Sequence, residues 1–192
     1  TYMRILTSRK KRQMRLVMVF TVIGIILAAV FVAMVISILL SIFIWNPLEV
    51  GCQKFFINCK YGNAELGDIA YGFKNGYAHI GLIMFLRGLF TGLWMLLFII
   101  PGIVKSYEYM MIPYLLAEHP EMTRQEAFAE SKQMMDGNKW DAFVLDLSFI
   151  GWTLLGVCTF GILLVFYVEP YIYLTRAELY HALKNNNKSV EF

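Results

Sequence analysis

The sequence predicts an all-α protein: a multi-pass transmembrane helical bundle of about five or six membrane segments, with two short amphipathic interfacial helices and a weak internal repeat. Hydrophobic residues make up 58% of the 192 residues, and the mean hydropathy is +0.57. Charged residues make up only 16%, against about 25% in a typical soluble domain. Long uncharged runs exceed the ~20 residues that cross a bilayer as a helix. This composition excludes a disordered chain and argues against a soluble enzyme, so residues 1–192 are interpreted as a single integral-membrane domain.

Residues 1–15 form a basic juxtamembrane segment. Such clusters usually mark the cytoplasmic flank of a span, where they also meet anionic lipid. The net charge is only +3, and no basic stripe is interleaved with aromatic residues, which excludes a nucleic-acid partner. The chain begins at Thr1, so we expect further residues upstream, and Glu191-Phe192 is interpreted as a cloning remnant. The basic residues are Arg4, Arg9, Lys10, Lys11, Arg12 and Arg15.

Residues 16–45 form the first visible span. No charge occurs between Leu16 and Leu48, which is long enough for a tilted transmembrane helix and too long for a cleaved signal peptide. The run ends at Trp45-Asn46-Pro47, where an interfacial aromatic residue meets a helix breaker. We therefore expect the helix to end there.

Residues 46–118 form the first of two helical-hairpin repeats. Asn63 has the position of an N-cap for a short amphipathic helix at the membrane interface, and Gly76 ends that helix. The second span runs from Ile80 to Ile100 and is broken by Pro101-Gly102. For Ile103–Ala117 we favour a short return span, and an interfacial helix is the alternative. The apolar stripe of the amphipathic helix is Leu66, Ile69, Ala70 and Phe73.

Residues 119–183 form the second repeat. Thr123 and Glu126 have the spacing of a capping box at the start of another short amphipathic helix, which Asp136-Gly137 ends. A span over Asp141–Val157 is followed by a turn at Thr159-Phe160-Gly161. The last span covers about 163–183, and residues 184–192 form a polar tail. The helix face expected to point inward is Ala127, Phe128, Ser131, Met134 and Met135.

The internal repeat rests mainly on the order of its elements. In each half, an amphipathic helix and a glycine precede a span and its return, and such tandem hairpins are common in membrane proteins. The residue matches are near chance. A shift of 63 residues aligns Asn75 with Asn138, Tyr77 with Trp140, and Gly88 with Gly151.

The distribution of charge predicts the topology. The two turns near residues 101–102 and 159–161 lack charge, whereas segments 54–74 and 124–139 and the tail carry it. The positive-inside rule therefore places both turns outside and the C-terminus in the cytoplasm. A single crossing by residues 16–45 would then leave the basic N-terminus outside. Three alternatives resolve this conflict: an upstream span, a re-entrant segment 16–45, or a segment 103–117 that does not cross.

Five stretches are specific in order and spacing: Asn46-Pro-Leu-Glu-Val-Gly51, Pro101-Gly-Ile-Val-Lys-Ser-Tyr-Glu-Tyr109, Pro113-Tyr-Leu-Leu-Ala-Glu118, Ser131-Lys-Gln-Met-Met-Asp-Gly137 and Leu145-Asp-Leu-Ser-Phe-Ile-Gly-Trp152. Over about residues 45–183, the chain resembles a bacterial integral-membrane family catalogued as domain of unknown function 975. The resemblance implies a multi-pass helical protein, common in Gram-positive bacteria, with no established activity. Members generally carry a span before the segment that resembles Leu16–Trp45, which favours the upstream-span alternative.

Charged residues inside apolar spans are the candidate functional positions, because charge at bilayer depth is costly and is usually paired in the bundle interior. Arg87 and Asp146 each lie about seven or eight residues into spans that enter from the same side, so they have similar depth. We expect an interior ion pair between them. A structural bridge is favoured over a substrate or proton site.

Lys105, Glu108 and Glu169 are expected to form a second polar cluster near the two outer turns. With nearby tyrosines, it would be a cavity mouth for a polar or cationic ligand, although the interfacial aromatic belt is the favoured explanation of the tyrosines. The sequence does not decide the placement of Arg176. It belongs to one of the two polar layers or pairs with neighbours at the inner face. The tyrosines are Tyr107, Tyr109, Tyr167, Tyr171 and Tyr173.

The sequence predicts no catalytic, cofactor or metal site. The three cysteines form no CxxC motif and the three histidines are scattered, whereas metal sites need clustered ligands. The HExxH, GxSxG and GxxxxGK[ST] signatures are also missing from the sequence. Gly88 and Gly92 form a GxxxG pair, for which packing within the monomer is favoured over dimerisation.

The leading interpretation is a non-catalytic, transporter-like protein or accessory subunit of the bacterial cytoplasmic (inner) membrane. It would bind a small molecule, lipid or peptide in an intramembrane polar cavity. The alternative is a structural protein that docks another membrane protein, as an exporter partner or immunity factor, or that forms a homodimer. An intramembrane enzyme is the third and least favoured class. Membrane lipid is a partner in every case, and nucleic acid in none.

Overall fold

The computed structural model describes the backbone of residues 2–159 and 161–190, and the side chains of residues 13–159 and 161–186. Within these residues the chain is all-helical and contains no strand, which confirms the predicted all-α class. The chain divides into two units, Thr1–Ser41 and Ile42–Phe192. The helices are α1 Tyr2–Leu40, α2 Asn46–Lys60, α3 Tyr71–Lys74, α4 Tyr77–Leu97, α5 Ile99–Glu108, α6 Ile112–Glu118, α7 Arg124–Met134, α8 Lys139–Ser148, α9 Ile150–Cys158 and α10 Glu169–Val190.

The first unit contains α1. Every described side chain from residue 13 to residue 41 is exposed. The helix is apolar on all sides over most of this length, which is typical of membrane-spanning helices. Thr21 donates its hydroxyl to the carbonyl oxygen of Val17 at 2.8 Å, so this polar group is satisfied within the helix. Arg15 is exposed, and the other five side chains of the basic cluster lie outside the described residues.

Three continuous helical segments of the described chain are long and apolar enough to cross a membrane: Gln13–Lys60, Tyr77–Leu97 and Lys139–Cys158. The first runs from α1 into α2, the second is α4, and the third joins α8 and α9. They coincide with the runs that the sequence predicts as spans over 16–45, 80–100 and 141–157. The helix lengths and composition therefore suggest that the protein is membrane-associated.

Pro47 does not end a helix, contrary to the prediction. A π-turn, Ser41–Trp45, precedes α2, and Pro47 occupies the first turn of α2, where proline is tolerated. Proline cannot donate to the carbonyl four residues earlier, and this oxygen, on Phe43, instead accepts the Tyr77 hydroxyl at 2.7 Å. A second π-turn, Leu164–Val168, lies just before Pro170.

The amphipathic helix predicted after Asn63 is replaced by shorter elements. A 3₁₀ turn, Leu66–Ala70, is capped by Glu65 and leads into α3. This segment approaches α2 so closely that a Cβ atom on Gly51 would lie 1.9 Å from the carbonyl oxygen of Ile69. Backbone contact with α2, rather than the apolar stripe, therefore sets the local structure.

Two hairpins carry most of the exposed apolar surface of the second unit. α4 and α5 meet at Phe98, an extended residue, so the break comes before Pro101-Gly102, which lie in the first turn of α5. A Cβ atom on Gly102 would lie 2.6 Å from the Cα of Met95, so only glycine permits this close packing. The second hairpin turns after α9 at residues 159–161, as predicted. Phe160 itself lies outside the described residues.

The core of the second unit surrounds α6. All residues of α6 before Glu118 are buried, and α6 contacts α2, α4 and α7. The stretch Ile103–Ala117 is therefore not a single return helix, because a turn at residues 109–111 separates α5 from α6. The apolar character of residues 112–117 reflects burial inside the protein, which sequence alone does not distinguish from contact with lipid.

The capping box of α7 is confirmed. The Thr123 hydroxyl accepts from the backbone N–H of Glu126, and the Glu126 carboxylate accepts from the N–H of Thr123. Of the inward face predicted for this helix, all residues except the half-buried Phe128 are buried. Gly76 and Gly137, which precede α4 and α8, adopt φ angles of +68° and +75°, so the same left-handed turn introduces each hairpin.

Candidate functional site: an acidic and aromatic cleft beside interior ion pairs

The predicted ion pair between Arg87 and Asp146 is not formed. Arg87 Nη1 instead donates to Glu49 Oε1 of α2 at 2.9 Å. Asp146 Oδ1 accepts from Arg176 Nη2 of α10 at 2.9 Å. Both predicted residues are half-buried and paired, but position along a span fixes only depth and not the direction in which a side chain points.

Asp146 connects three elements. Its second oxygen, Oδ2, accepts the Tyr107 hydroxyl of α5 at 3.0 Å, so α5, α8 and α10 are joined through one carboxylate. The Tyr107 ring packs edge-on against Phe143 with centroids 6.1 Å apart. A carboxylate with two hydrogen-bond donors is well satisfied at this depth, which fits a structural role for Asp146 and Arg176.

The predicted cluster of Lys105, Glu108 and Glu169 is split. Glu108 is only 4% exposed, and its carboxylate accepts from Lys105 Nζ at 2.8 Å and from Lys139 Nζ at 3.4 Å. Because Lys139 begins α8, this group lies at the opposite end of α8–α9 from the turn at residues 159–161. Glu169 belongs to a different site, beside α2.

A further buried group was not predicted from the sequence. Glu118, at the end of α6, accepts from Lys184 and from the Tyr180 hydroxyl, and Tyr180 stacks on Tyr114 with centroids 5.4 Å apart. Burial by itself raises the pKa of Glu118, but the hydrogen bonds from Lys184 and Tyr180 outweigh it and hold the pKa below its usual value. This contact fixes α10 against the buried helix.

The candidate site is a half-open cleft of about 460 Å³ between α2 and α10. The residues from the α2 side follow helical i, i+3, i+4, i+7 spacing, and those from α10 follow i, i+4 spacing, so each set lies on one helix face. Each face begins at the end of one of the two π-turns, a feature that is frequent at functional sites. The lining residues are Trp45, Leu48, Glu49, Cys52, Glu169 and Tyr173.

The cleft carries an uncompensated negative charge. Glu169 is exposed and has no ion pair or hydrogen bond among the described residues, whereas Glu49 is neutralised by Arg87. Glu49 of α2 and Glu169 of α10 line the cleft together with Tyr173. Trp45 is 67% exposed and adds a second aromatic face. Carboxylates and aromatic faces together favour a cation.

A buried hydroxyl lies on α6, the helix that packs against α2. Tyr114 is only 2% exposed, and its hydroxyl has no hydrogen-bond partner in the described part of the chain. Tyr114 belongs to α6, which packs against α2, the helix that supplies Glu49 to the cleft. An unsatisfied buried polar group is costly, so this hydroxyl is a position where substitution can be tested.

A second cleft between the same helices has no free charge. It measures about 400 Å³ and is lined mainly by apolar atoms of residues such as Phe56 and Leu174. Its two charged residues, Lys60 and Glu178, neutralise each other at 2.5 Å. Phe56 stacks on Tyr173 with centroids 5.2 Å apart, and this contact separates the two clefts. The first cleft is therefore the better candidate for a charged ligand.

The comparisons with known proteins identify a family and no function. A family model described as "Protein of unknown function (DUF975)" matches residues 77–187. No curated protein and no solved structure matches the chain. The matched range includes Glu169 and Tyr173 of the cleft, whereas the residues from the α2 side precede it.

Proposed function

The chain belongs to the DUF975 family, and from this premise we propose that it is a non-catalytic membrane protein that binds a small cationic molecule in the cleft between α2 and α10. It acts as a transporter-like protein or as the ligand-binding accessory subunit of a larger assembly. The observation that carries the proposal is the free carboxylate of Glu169 in a cleft walled by Trp45 and Tyr173.

The chemistry of the cleft favours an organic cation. An ammonium group gains from the Glu169 carboxylate and from the faces of the two aromatic rings, and such cation–π contacts contribute about 0.5–2 kcal/mol each. A small anion would meet Glu49 and Glu169, so it is disfavoured. A metal ion is also a poor fit, because no group of three or more ligating side chains occurs among the described residues.

We also propose a membrane arrangement with more segments than the three candidate spans, and an orientation for it. We infer about five or six membrane segments in the bacterial cytoplasmic membrane, with α7 at the interface and the C-terminus in the cytoplasm. The apolar surface of α5 and of residues 162–174 supports additional segments, because many of their large apolar side chains are exposed. The lysines of α7, α8 and the tail support the orientation.

The binding test uses Cys52, which lines the cleft. In a protein with Cys59→Ser and Cys158→Ser, reconstituted in nanodiscs, the rate at which a maleimide alkylates Cys52 is measured against tetramethylammonium concentration. We expect the cation to slow alkylation. Glu169→Gln should weaken this protection about tenfold, because removing one favourable charge contact of about 1.4 kcal/mol changes the dissociation constant by that factor.

Glu130→Gln is the matched control, since it removes an equal charge from α7, away from the cleft. It should leave the protection unchanged. Equal protection in the Glu169→Gln protein, or no protection by tetramethylammonium in the unmodified cleft, refutes cation binding at this site. Uptake of radiolabelled tetramethylammonium into proteoliposomes then separates a transporter from an accessory subunit, which binds without flux.

A second candidate function is docking to another membrane protein or to a second copy of this chain. It is favoured by the open face at Gly88 and Gly92, where nothing in the described chain lies within 4 Å of a Cβ atom added at either position. The predicted use of this pair for packing within the monomer is therefore not observed, and close approach by another helix is sterically free. Disulfide crosslinking after Gly92→Cys, in a protein without its native cysteines, tests for a second copy.

A further inference from the structure

The cleft lies where the surface of the second unit changes from apolar to charged. The segments that lead into it expose large apolar side chains: Trp45 is 67% exposed and Phe166 is 79% exposed. Beyond the cleft, in the direction in which both helices run, come the charged residues Lys60, Glu178 and Lys184. A change of this kind marks the level of the lipid headgroups.

α2 and α10 run in the same direction beside the cleft. The residues near the start of each helix, Glu49 and Glu169, line one cleft, and Lys60 pairs with Glu178 further along. The apolar segments that precede the two helices therefore lie on the same side of the cleft. A ligand held at Glu169 can extend in that direction along apolar surface.

Phe166 lies in the π-turn, Leu164–Val168, that leads directly into the acidic residue. It precedes Glu169 by three residues, so it lies less than one helical turn from the cleft, on its apolar side. Its side chain is the most exposed of the five in the second π-turn. Nothing in the described chain covers it, so it is free to contact a chain that extends from the cleft.

We propose that the ligand is a cationic amphiphile with a single alkyl chain, which enters the cleft from the bilayer. This inference rests on the proposed cation binding and specifies its substrate class. The ammonium head lies between Glu169 and the faces of Trp45 and Tyr173, and the chain extends past Phe166 into the apolar region. A cleft of about 460 Å³ has room for one trimethylammonium head group, and the free carboxylate of Glu169 disfavours anionic lipid.

The test compares two cations that share one head group. Protection of Cys52 from maleimide is measured in phosphatidylcholine nanodiscs with tetramethylammonium and with dodecyltrimethylammonium, the latter expressed as its mole fraction in the bilayer. Phe166→Ala should weaken protection by dodecyltrimethylammonium about fivefold, as expected for the loss of some tens of Å² of apolar contact. Protection by tetramethylammonium should not change, since its head group does not reach Phe166.

Phe98→Ala is the matched control, because Phe98 is an equally apolar, 64% exposed side chain at the tip of the other hairpin. Phe98→Ala should leave the protection of Cys52 by both cations unchanged. The amphiphile proposal is overturned if Phe166→Ala leaves the ratio of Cys52 protection by the two cations unchanged, or if Phe98→Ala changes that ratio equally. Cation binding at the cleft would still stand. The cation site itself is refuted if neither cation protects Cys52 in the protein that keeps Glu169 and Phe166, or if Glu169→Gln leaves the protection by both cations unchanged.

Discussion

Changing Asp146 to asparagine removes the charge that neutralises Arg176 while keeping a side chain of the same shape. The Arg176 guanidinium then remains half-buried without its counter-ion, although the Tyr107 hydroxyl still finds an oxygen acceptor. We therefore expect the folded protein to lose stability through an uncompensated charge rather than through a cavity.

The size of the effect follows from the geometry. Two unit charges 2.9 Å apart attract by about 6 kcal/mol at an effective dielectric constant of about 20, and desolvation offsets most of this. Exposed pairs contribute about 0–1 kcal/mol, and loss of one partner from a buried pair costs about 3–5 kcal/mol. For this half-buried pair we expect about 2 kcal/mol for Asp146→Asn.

The assay is a double-mutant cycle on unfolding in detergent, followed by circular dichroism. Asp146→Asn and Arg176→Met should each lower the midpoint by about 4–8 °C, as for a soluble protein of this size, and the double variant should lose less than the sum. The changes in free energy of unfolding caused by substituting Asp146 and Arg87 should be additive within about 0.5 kcal/mol, since the two residues share no contact. A larger coupling of Asp146 to Arg87 than to Arg176 refutes the assigned pairing.

Three further outcomes follow from single positions. Gly51→Ala should cost about 1–3 kcal/mol through overpacking, because its Cβ would meet backbone at 1.9 Å, whereas Gly88→Ala, with open space around it, should be neutral or stabilising; equal unfolding midpoints for the two variants contradict this. Tyr114→Phe should raise stability by about 1 kcal/mol by removing an unsatisfied buried hydroxyl, and a lower unfolding midpoint in this variant would mean that the hydroxyl has a partner. The folded-state pKa of Glu118 is lowered, so its contribution to stability is present above its ordinary pKa of 4.5 and is lost as pH falls through the lowered value; the unfolding midpoint should therefore decline more steeply in acid for the native chain than for Glu118→Gln, and identical pH profiles would contradict the shift.

The candidate site shows which parts of the structure can be predicted from sequence. Arg87 and Asp146 were predicted to be interior and paired, and both are half-buried in ion pairs, because the cost of an isolated charge in an apolar segment is independent of the fold. Their partners were not predicted. Glu49 and Arg87 are 38 residues apart, and only the packing of α4 on α2 brings them together.

The cleft itself had one local signal that sequence reasoning missed. Pro47 and Pro170 each follow a long apolar run, and each lies just after a π-turn that helps to shape the cleft. Proline is common in the first turn of a helix, so Pro47 is as consistent with the start of α2 as with the end of the preceding helix. The two prolines lie within two residues of Glu49 and Glu169, and they are therefore the local signal for the cleft.

The sequence by itself determined the all-α class, the three apolar runs long enough to cross a membrane, the α7 capping box and the turn after α9. These features depend on composition and on residues within a few positions of one another, which act before any long-range contact forms. The tertiary structure alone decided that Arg176 neutralises Asp146, that α6 is enclosed by protein, and that Glu169 faces Trp45 across a cleft. Those relations depend on how helices distant in the chain are rotated and packed, and no local pattern encodes that rotation.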